Sequence, residues 1–392
     1  MRAAVIQRGA IVAGALLASA AVLQAGIAQR VSLADPALAA RIAPGNARIA
    51  VTAANSAITR GADVADPDVQ GLVVAALKRD TTVTAAIELR AVTLGVKGEP
   101  RREAQLFGLS STISRRSLPT RLWLIQRSVE RGDVAGALHD FDVALRTSAA
   151  APPILFPVLA DATSDVTLIG PIAQMLDQPS DWRLMFLNFA LAHGDARSIG
   201  ETVVRMRDHA FVKANGLDRV LIARLVELRS FAFAGRVRDA FSEGTRSPLI
   251  ADGGFADPSA GYPFGWQLTD RGDVGAERAF AGGQTVLSYR AEPGRGGQVA
   301  AQLLLLAPGR YRLATRTASA SDTRPYWTLT CGEQRSAALI RLDLPTQDRA
   351  TSEANLTIPS GCAGQWLTLT LQPGGAAGGQ TGTVASVSIS RL

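Results

Sequence analysis

The chain has 392 residues, 47% of them apolar and 19% charged, with 41 Lys and Arg against 34 Asp and Glu. That length provides for two or three domains and the apolar content excludes wholesale disorder. A polytopic membrane protein is also excluded, because one apolar run alone approaches spanning length. The net charge of +7 does not point to nucleic acid. Of the basic residues, 38 are arginines scattered along the chain, with no run longer than Arg101-Arg102 or Arg115-Arg116, whereas a phosphate-tracking protein concentrates its charge on one face or arm.

The N-terminal segment, residues 1–30, reads as a signal peptide or membrane anchor. Arg2 and Arg8 precede an uncharged stretch from Gly9 to Gln29. Gly26 and Ala28 stand at the −3 and −1 positions of a cleavage site, so a signal peptide would be cut after Ala28. Left uncut, residues 9–28 are near the ~20 that a spanning helix needs and would hold the chain to the inner membrane. Either way the basic end stays cytoplasmic and the body is carried across, to the periplasm or outside.

Residues 31–247 carry helical periodicity, with Ala, Leu, Val and Arg dominant and breaks at Gly, Pro and Asp. The clearest unit is Leu122–Leu145. Trp123, Ile125 and Val129 mark one helix, Gly132 offers a left-handed C-cap, and Asp133 can cap the next helix. That next helix sets Ala137, Leu138, Phe141, Ala144 and Leu145 on one face. The segment Gly132–Leu145 resembles the second helix of a tetratricopeptide repeat: Gly132, Ala137, Phe141 and Ala144 match the favoured positions. Gly98-Glu99-Pro100 repeats the turn 34 residues upstream, the repeat length of that family. Further turns are expected at His193-Gly194-Asp195 and Ala234-Gly235-Arg236, out of that register. A solenoid of this kind implies a protein or peptide partner on its concave surface; an irregular helical bundle is the alternative.

From 248 to 392 the period becomes two. Tyr326–Cys331 (YWTLTC) alternates Trp327, Leu329 and Cys331 with Tyr326, Thr328 and Thr330, and Trp366–Leu371 (WLTLTL) does likewise. Further strands are expected at Gln284–Arg290, Gln298–Leu306, Arg310–Thr317, Ala337–Leu342 and Val384–Ile389, separated by Gly and Pro turns. Short strands at this spacing predict a two-sheet antiparallel sandwich. Cys331 and Cys362 are the chain's two cysteines, and in an oxidising compartment such a pair forms a disulfide; two separately buried thiols are the alternative. No histidine lies beyond His209 to complete a zinc site.

The opening of this part, Ala251–Trp266, resembles the N-terminal signature of jelly-roll domains of the galactose-binding, carbohydrate-binding-module type. Gly253, Gly254, Phe255, Pro263 and Trp266 carry the match, and the strand, Pro-Gly turn and aromatic strand of LLLLAPGRYRLATRT continue it. The combination with a helical repeat is similar to secreted Gram-negative proteins, some encoded beside exopolysaccharide functions. Ala256 stands where many such domains place an acid, so a calcium site of the usual kind is not expected. The resemblance implies a polysaccharide ligand, envelope or extracellular. Sugar binding uses aromatic faces and planar polar side chains: Trp266, Tyr289, Tyr326 and Trp366 are candidate aromatics, and Asp322, Arg324 and Gln365 candidate polar partners. For Trp266 and Trp327 a place in the core is the competing assignment.

Catalytic signatures are absent from the sequence. No Gly-x-Ser-x-Gly elbow occurs, and the three histidines fall in the helical part. Asp140 and Asp142 point to different sides of a helix, unlike the facing carboxylates of glycoside hydrolysis. The expectation is therefore a multidomain α-plus-β envelope protein that is not an enzyme, with a helical-repeat scaffold, a β-sandwich and no cofactor. A protein-interaction scaffold with a purely structural sandwich is the second reading, a polysaccharide-acting enzyme the third.

Overall fold

A computed structural model of the chain describes residues 24–242, 249–258, 261–319, 324–332, 338–345, 347–373 and 379–392. Most of the apolar N-terminal run lies outside these residues. Among the described residues, no helix is long and apolar enough to cross a membrane. Helix α1 covers residues 24–34, and its Ala28 is fully buried against Ala39 and Ile49.

The helices that follow are α2 (Pro36–Ile42), α3 (Ala47–Thr59), α4 (Pro67–Arg79), α5 (Thr84–Val96), α6 (Pro100–Ile113), α7 (Leu118–Glu130), α8 (Val134–Thr147) and α9 (Pro152–Ala162). Then come α10 (Val166–Leu176), α11 (Trp182–His193), α12 (Ala196–Arg205), α13 (His209–Ala214), α14 (Leu217–Glu227) and α15 (Phe231–Phe241). Their starts are written in side chains that accept from otherwise unpaired backbone N–H groups. Asp35, Asn46, Asp66, Ser117, Asp133, Asp165, Asp195 and Asp208 all cap in this way. Gly132 has φ +69°, the left-handed value only glycine adopts freely, and the Asp133 N–H donates back to the Ser128 carbonyl at 2.8 Å. The expected turn at 132–133 is therefore present, as is its counterpart at Gly98. The turn expected at Ala234-Gly235-Arg236 is not a turn. It lies inside α15, where a Cβ on Gly235 would run into the Leu305 side chain. The glycine marks close packing against a movable leucine tip and not a chain reversal.

The described chain divides into two compact units, and their boundary is not the change of composition near 248. One unit holds α1–α8 with the first part of α9 and of α11. Its core is Ala-rich, with Ala50, Val51, Ala54, Val73 and Ala76 buried. Polar groups tie its later helices together. The Glu88 carboxylate of α5 accepts from the hydroxyls of Ser110 on α6 (2.8 Å), Thr120 on α7 (2.8 Å) and Ser117. Arg121 on α7 donates to Asp140 on α8 at 2.7 Å, both nearly buried.

The other unit holds α10, α12–α15 and two five-stranded sheets. The strands are β1 (Gln267–Leu268), β2 (Val274–Ala281), β3 (Gln284–Ala291), β4 (Gly297–Leu304), β5 (Gly309–Ser319), β6 (Tyr326–Cys331), β7 (Ala338–Asp343), β8 (Thr351–Ile358), β9 (Gln365–Leu371) and β10 (Gln380–Arg391). One sheet runs β1-β4-β9-β6-β7 and the other β2-β3-β10-β5-β8, with every pairing antiparallel. Inward residues of both sheets, among them Leu287, Leu313, Trp327, Leu329, Leu367, Leu369 and Val387, form one core. Cys331 and Cys362 are joined in a disulfide at its edge, Cα atoms 5.5 Å apart.

The segment 251–266 closes one end of this core. Phe255 is fully buried, and its ring lies 5.3 Å from that of Trp266, which lies 5.4 Å from Trp327. The Trp266 indole donates to the Asp252 carbonyl at 2.9 Å. Gly253 passes so close to the Val387 carbonyl of β10 that no Cβ fits there. Helix α15 packs on the sandwich in the same unit. A Cβ on Gly332 or on Gly364 would come within 2.5 Å of the Phe231 ring, so the two glycines form a cradle for it. The Gly332 N–H donates to the Gly364 carbonyl at 2.8 Å between them.

Candidate functional site

Strand alternation divides the β6 and β9 residues cleanly. Trp327, Leu329, Leu367 and Leu369 face the core, so Tyr326, Thr328, Thr330, Trp366, Thr368 and Thr370 face outward. The registers then place Ala301 of β4, Thr368 of β9, Thr328 of β6 and Arg341 of β7 in one row across the sheet. The adjoining rows are Leu303, Trp366 and Thr330, and Gln298, Thr370, Tyr326 and Asp343. This outer face thus carries two aromatic rings, three half-buried threonines with Thr368 buried among them, and three planar polar groups. Tyr326 and Trp366 are separated by four residues along the strands, or about 13 Å.

Two features shape it. The Arg341 guanidinium lies over the Tyr326 ring, 3.7 Å from its centroid, and is held there by Asp343 at 2.9 Å. The hydroxyls of Thr328 and Thr368 form a pair at 2.6 Å, in which Thr368 is buried and Thr328 half-buried. Tyr326 and Trp366 are both half-buried. Trp366 neighbours Leu303, which is 2% exposed although it points outward, and follows the Gly364 on which Phe231 of α15 packs. The Tyr326 end is where Arg341 and Asp343, each about half exposed, open the face to solvent.

The other candidates fall elsewhere. Trp266 is core, as its competing assignment had it. Tyr289 is 2% exposed on the inward side of β3, with Gly382 of β10 against its hydroxyl. Gln365 is fully buried. Its amide oxygen accepts from the Leu306 N–H at 2.8 Å, and its nitrogen donates to the Cys362 carbonyl at 2.6 Å. Burial in hydrogen-bonded or apolar surroundings removes all three from a surface role. Arg324 is exposed beside the start of β6, and its carbonyl accepts from Gln372 at 3.1 Å. Asp322 lies outside the described residues. Thr328, Arg341 and Asp343 also stand on this face, and the alternation opposite Trp327 and Leu329 is the sequence signal for Thr328.

No group of His, Cys, Asp and Glu suited to a metal ion occurs among the described residues. His139, His193 and His209 stand on three different helices. Asp140 is committed to Arg121, while Asp142 accepts from Arg146 and from the Trp182 indole at 3.0 Å.

No protein-family model matches the chain, and no curated protein matches it. Solved structures similar to part of it include TmCBM61 in complex with β-1,4-galactotriose, at 13% identity over 38% of this chain and 100% of that one, TM-score 0.28. A CBM4 structure is similar at 19% identity over 36% of this chain and 99% of its own, TM-score 0.29. The family 16 carbohydrate-binding module-2 is similar at 17% identity over 36% and 99%, TM-score 0.27. The fold assignment rests on the strand order and pairing above.

Proposed function

We propose that this is a non-catalytic exported protein whose sandwich binds a polysaccharide on the outer face of the β1-β4-β9-β6-β7 sheet, toward its Tyr326 end. The observation that carries the reading is the combination on that face of Tyr326 with the hydroxyls of Thr328 and Thr370 and the forked groups of Gln298, Arg341 and Asp343. A pyranose ring offers an apolar face for an aromatic side chain and a rim of hydroxyls for such donors and acceptors. The disulfide and the apolar N-terminal run fit an oxidising compartment outside the cytoplasm. In this reading the helical part is a tetratricopeptide-like scaffold for a protein partner, and the polysaccharide belongs to the envelope or to an exported polymer.

The test is affinity electrophoresis of the full chain in gels containing the producing organism's exopolysaccharide or common envelope glycans. α15 packs against the sandwich, so residues 248–392 alone are not the right object. Retardation of the native chain, reduced in Tyr326→Ala, supports the reading. A folded chain retarded by none of the polymers overturns it in favour of a protein-interaction scaffold.

A further inference from the structure

The opposite sheet has an outer face of different character. On β5, Tyr311, Leu313, Thr315 and Thr317 are buried, and the alternate residues Arg310, Arg312 and Arg316 are exposed. The register with β10 sets Ser390 beside Arg312, Ser388 beside Ala314 and Ser386 beside Arg316. The register with β8 sets Thr357, Asn355, Glu353 and Thr351 on the other flank. Three arginines are therefore lined up on one strand between two columns of small polar side chains.

The charge on this area is one-sided. Residues 251–392 as a whole are close to neutral, with 12 Lys and Arg against 11 Asp and Glu. Among the outward residues of β10, β5 and β8, Glu353 is the single acid against three arginines. Glu353 reaches Arg312 at 3.6 Å with both side chains about half exposed, a weak surface pair. Arg316 donates to the amide oxygen of Gln284 on β3 at 3.4 Å, a contact that does not neutralise its charge.

We infer that this face binds an extended acidic polysaccharide, one bearing carboxylates such as a polyuronate. Alternate residues of a strand are about 6.7 Å apart, so Arg310, Arg312 and Arg316 mark a straight line of cationic forks about 20 Å long. A guanidinium pairs with a carboxylate through two parallel N–H donors, a match that suits uronate groups presented in sequence along a chain. The Ser and Asn side chains between the forks supply partners for sugar hydroxyls. Single-stranded nucleic acid offers anions too, but its binding surfaces interleave cations with aromatic rings for base stacking. The outward residues of these three strands include no aromatic ring. The inference does not rest on the Tyr326 face, which lies on the other sheet.

The experiment uses the full chain and three probes in affinity electrophoresis at low and physiological salt: polygalacturonate, a neutral galactan and a single-stranded DNA homopolymer. Polygalacturonate should retard the native chain, less so at higher salt. The double variant Arg312→Ala/Arg316→Ala should bind it about tenfold or more weakly, from two lost charge-assisted contacts. Arg101→Ala/Arg102→Ala, which removes two exposed arginines of α6, should bind it as the native chain does, which separates the strip from the chain's general positive charge. Unchanged melting of the arginine variant checks that its fold is intact. The proposal is overturned if polygalacturonate leaves the native chain unretarded, if the double variant is retarded equally, or if the DNA binds as well as the polyuronate.

Discussion

Phe231 offers the sharpest test of the packing. Its side chain is 2% exposed, and a Cβ at Gly332 or Gly364 would approach it to 2.5 Å. In Gly364→Ala the new methyl meets Cγ, Cβ and Cδ1 of Phe231 at 2.5–2.9 Å, the stiff root of the side chain and not its free end. Overpacking of this kind costs about 1–3 kcal/mol. For a unit of this size that is a fall of about 2–12 °C in its melting temperature. Phe231→Ala alone removes a buried ring and costs about 3–5 kcal/mol. In the double variant the added methyl occupies space the ring has left, so the Gly364→Ala penalty should largely vanish, a coupling of about 0.5–3 kcal/mol. Calorimetric melting of the four proteins gives the cycle. If Gly364→Ala costs the same with and without the ring, Phe231 does not occupy the glycine cradle and the packing of α15 on the sandwich is wrong.

Other consequences can be measured in the same protein. Intact mass without reductant should be two hydrogens below the reduced chain, and replacing both cysteines by serine should cost about 3–4 kcal/mol for a loop of this length; two thiols that alkylate freely would refute the bond. Asp140→Ala should cost about 3–5 kcal/mol in denaturant unfolding, because it leaves Arg121 buried without its partner, and a penalty under about 1 kcal/mol would show Arg121 to be solvated instead. Asp195→Ala should cost about 1 kcal/mol as a lost helix cap. The Ser198 backbone N–H and then its hydroxyl hold the Asp195 carboxyl below the usual carboxylate range. A depressed value means the contribution is complete above about pH 4 and is lost as the pH falls through the lower folded value. The urea midpoints of native and variant chains should therefore converge in strong acid, and a constant gap would count against the cap.

Much of the architecture could be read from local chemistry. Gly132 with Asp133 announced a helix end and a helix start, since one residue must reach φ +69° and the next must accept from the N–H of Gly136. Trp327-Thr-Leu-Thr-Cys could only be a strand with one face inside. β2 and β8 were missed for a physical reason. β8 reads TSEANLTI, and its pattern buries Leu356 and Ile358 alone, so an edge strand with mostly polar residues carries little apolar period. At Gly235 a sequence shows a glycine without showing whether it turns the chain or faces a neighbour. Here Leu305, seventy positions away, is the neighbour.

The same limit explains the site residues. An aromatic ring in or beside a strand can be a platform or core, and Trp266 and Tyr289 serve the core while Gln365 bonds the backbone of Leu306 and Cys362. A strand carries two interleaved patterns, and its inward one is legible because burial demands apolar side chains. Its outward one is legible only when charge or aromaticity repeats on every second residue. In Gly309–Ser319 that outward pattern is Arg310, Arg312, Ala314 and Arg316, which never places two arginines side by side. Scattered in sequence, the basic residues form no long run of like charge; folded, the period of two gathers three of them onto one line. A chain whose charge is dispersed along its length can thus present a concentrated cationic strip, and a search for runs of like charge will miss it wherever the carrier is a β-strand.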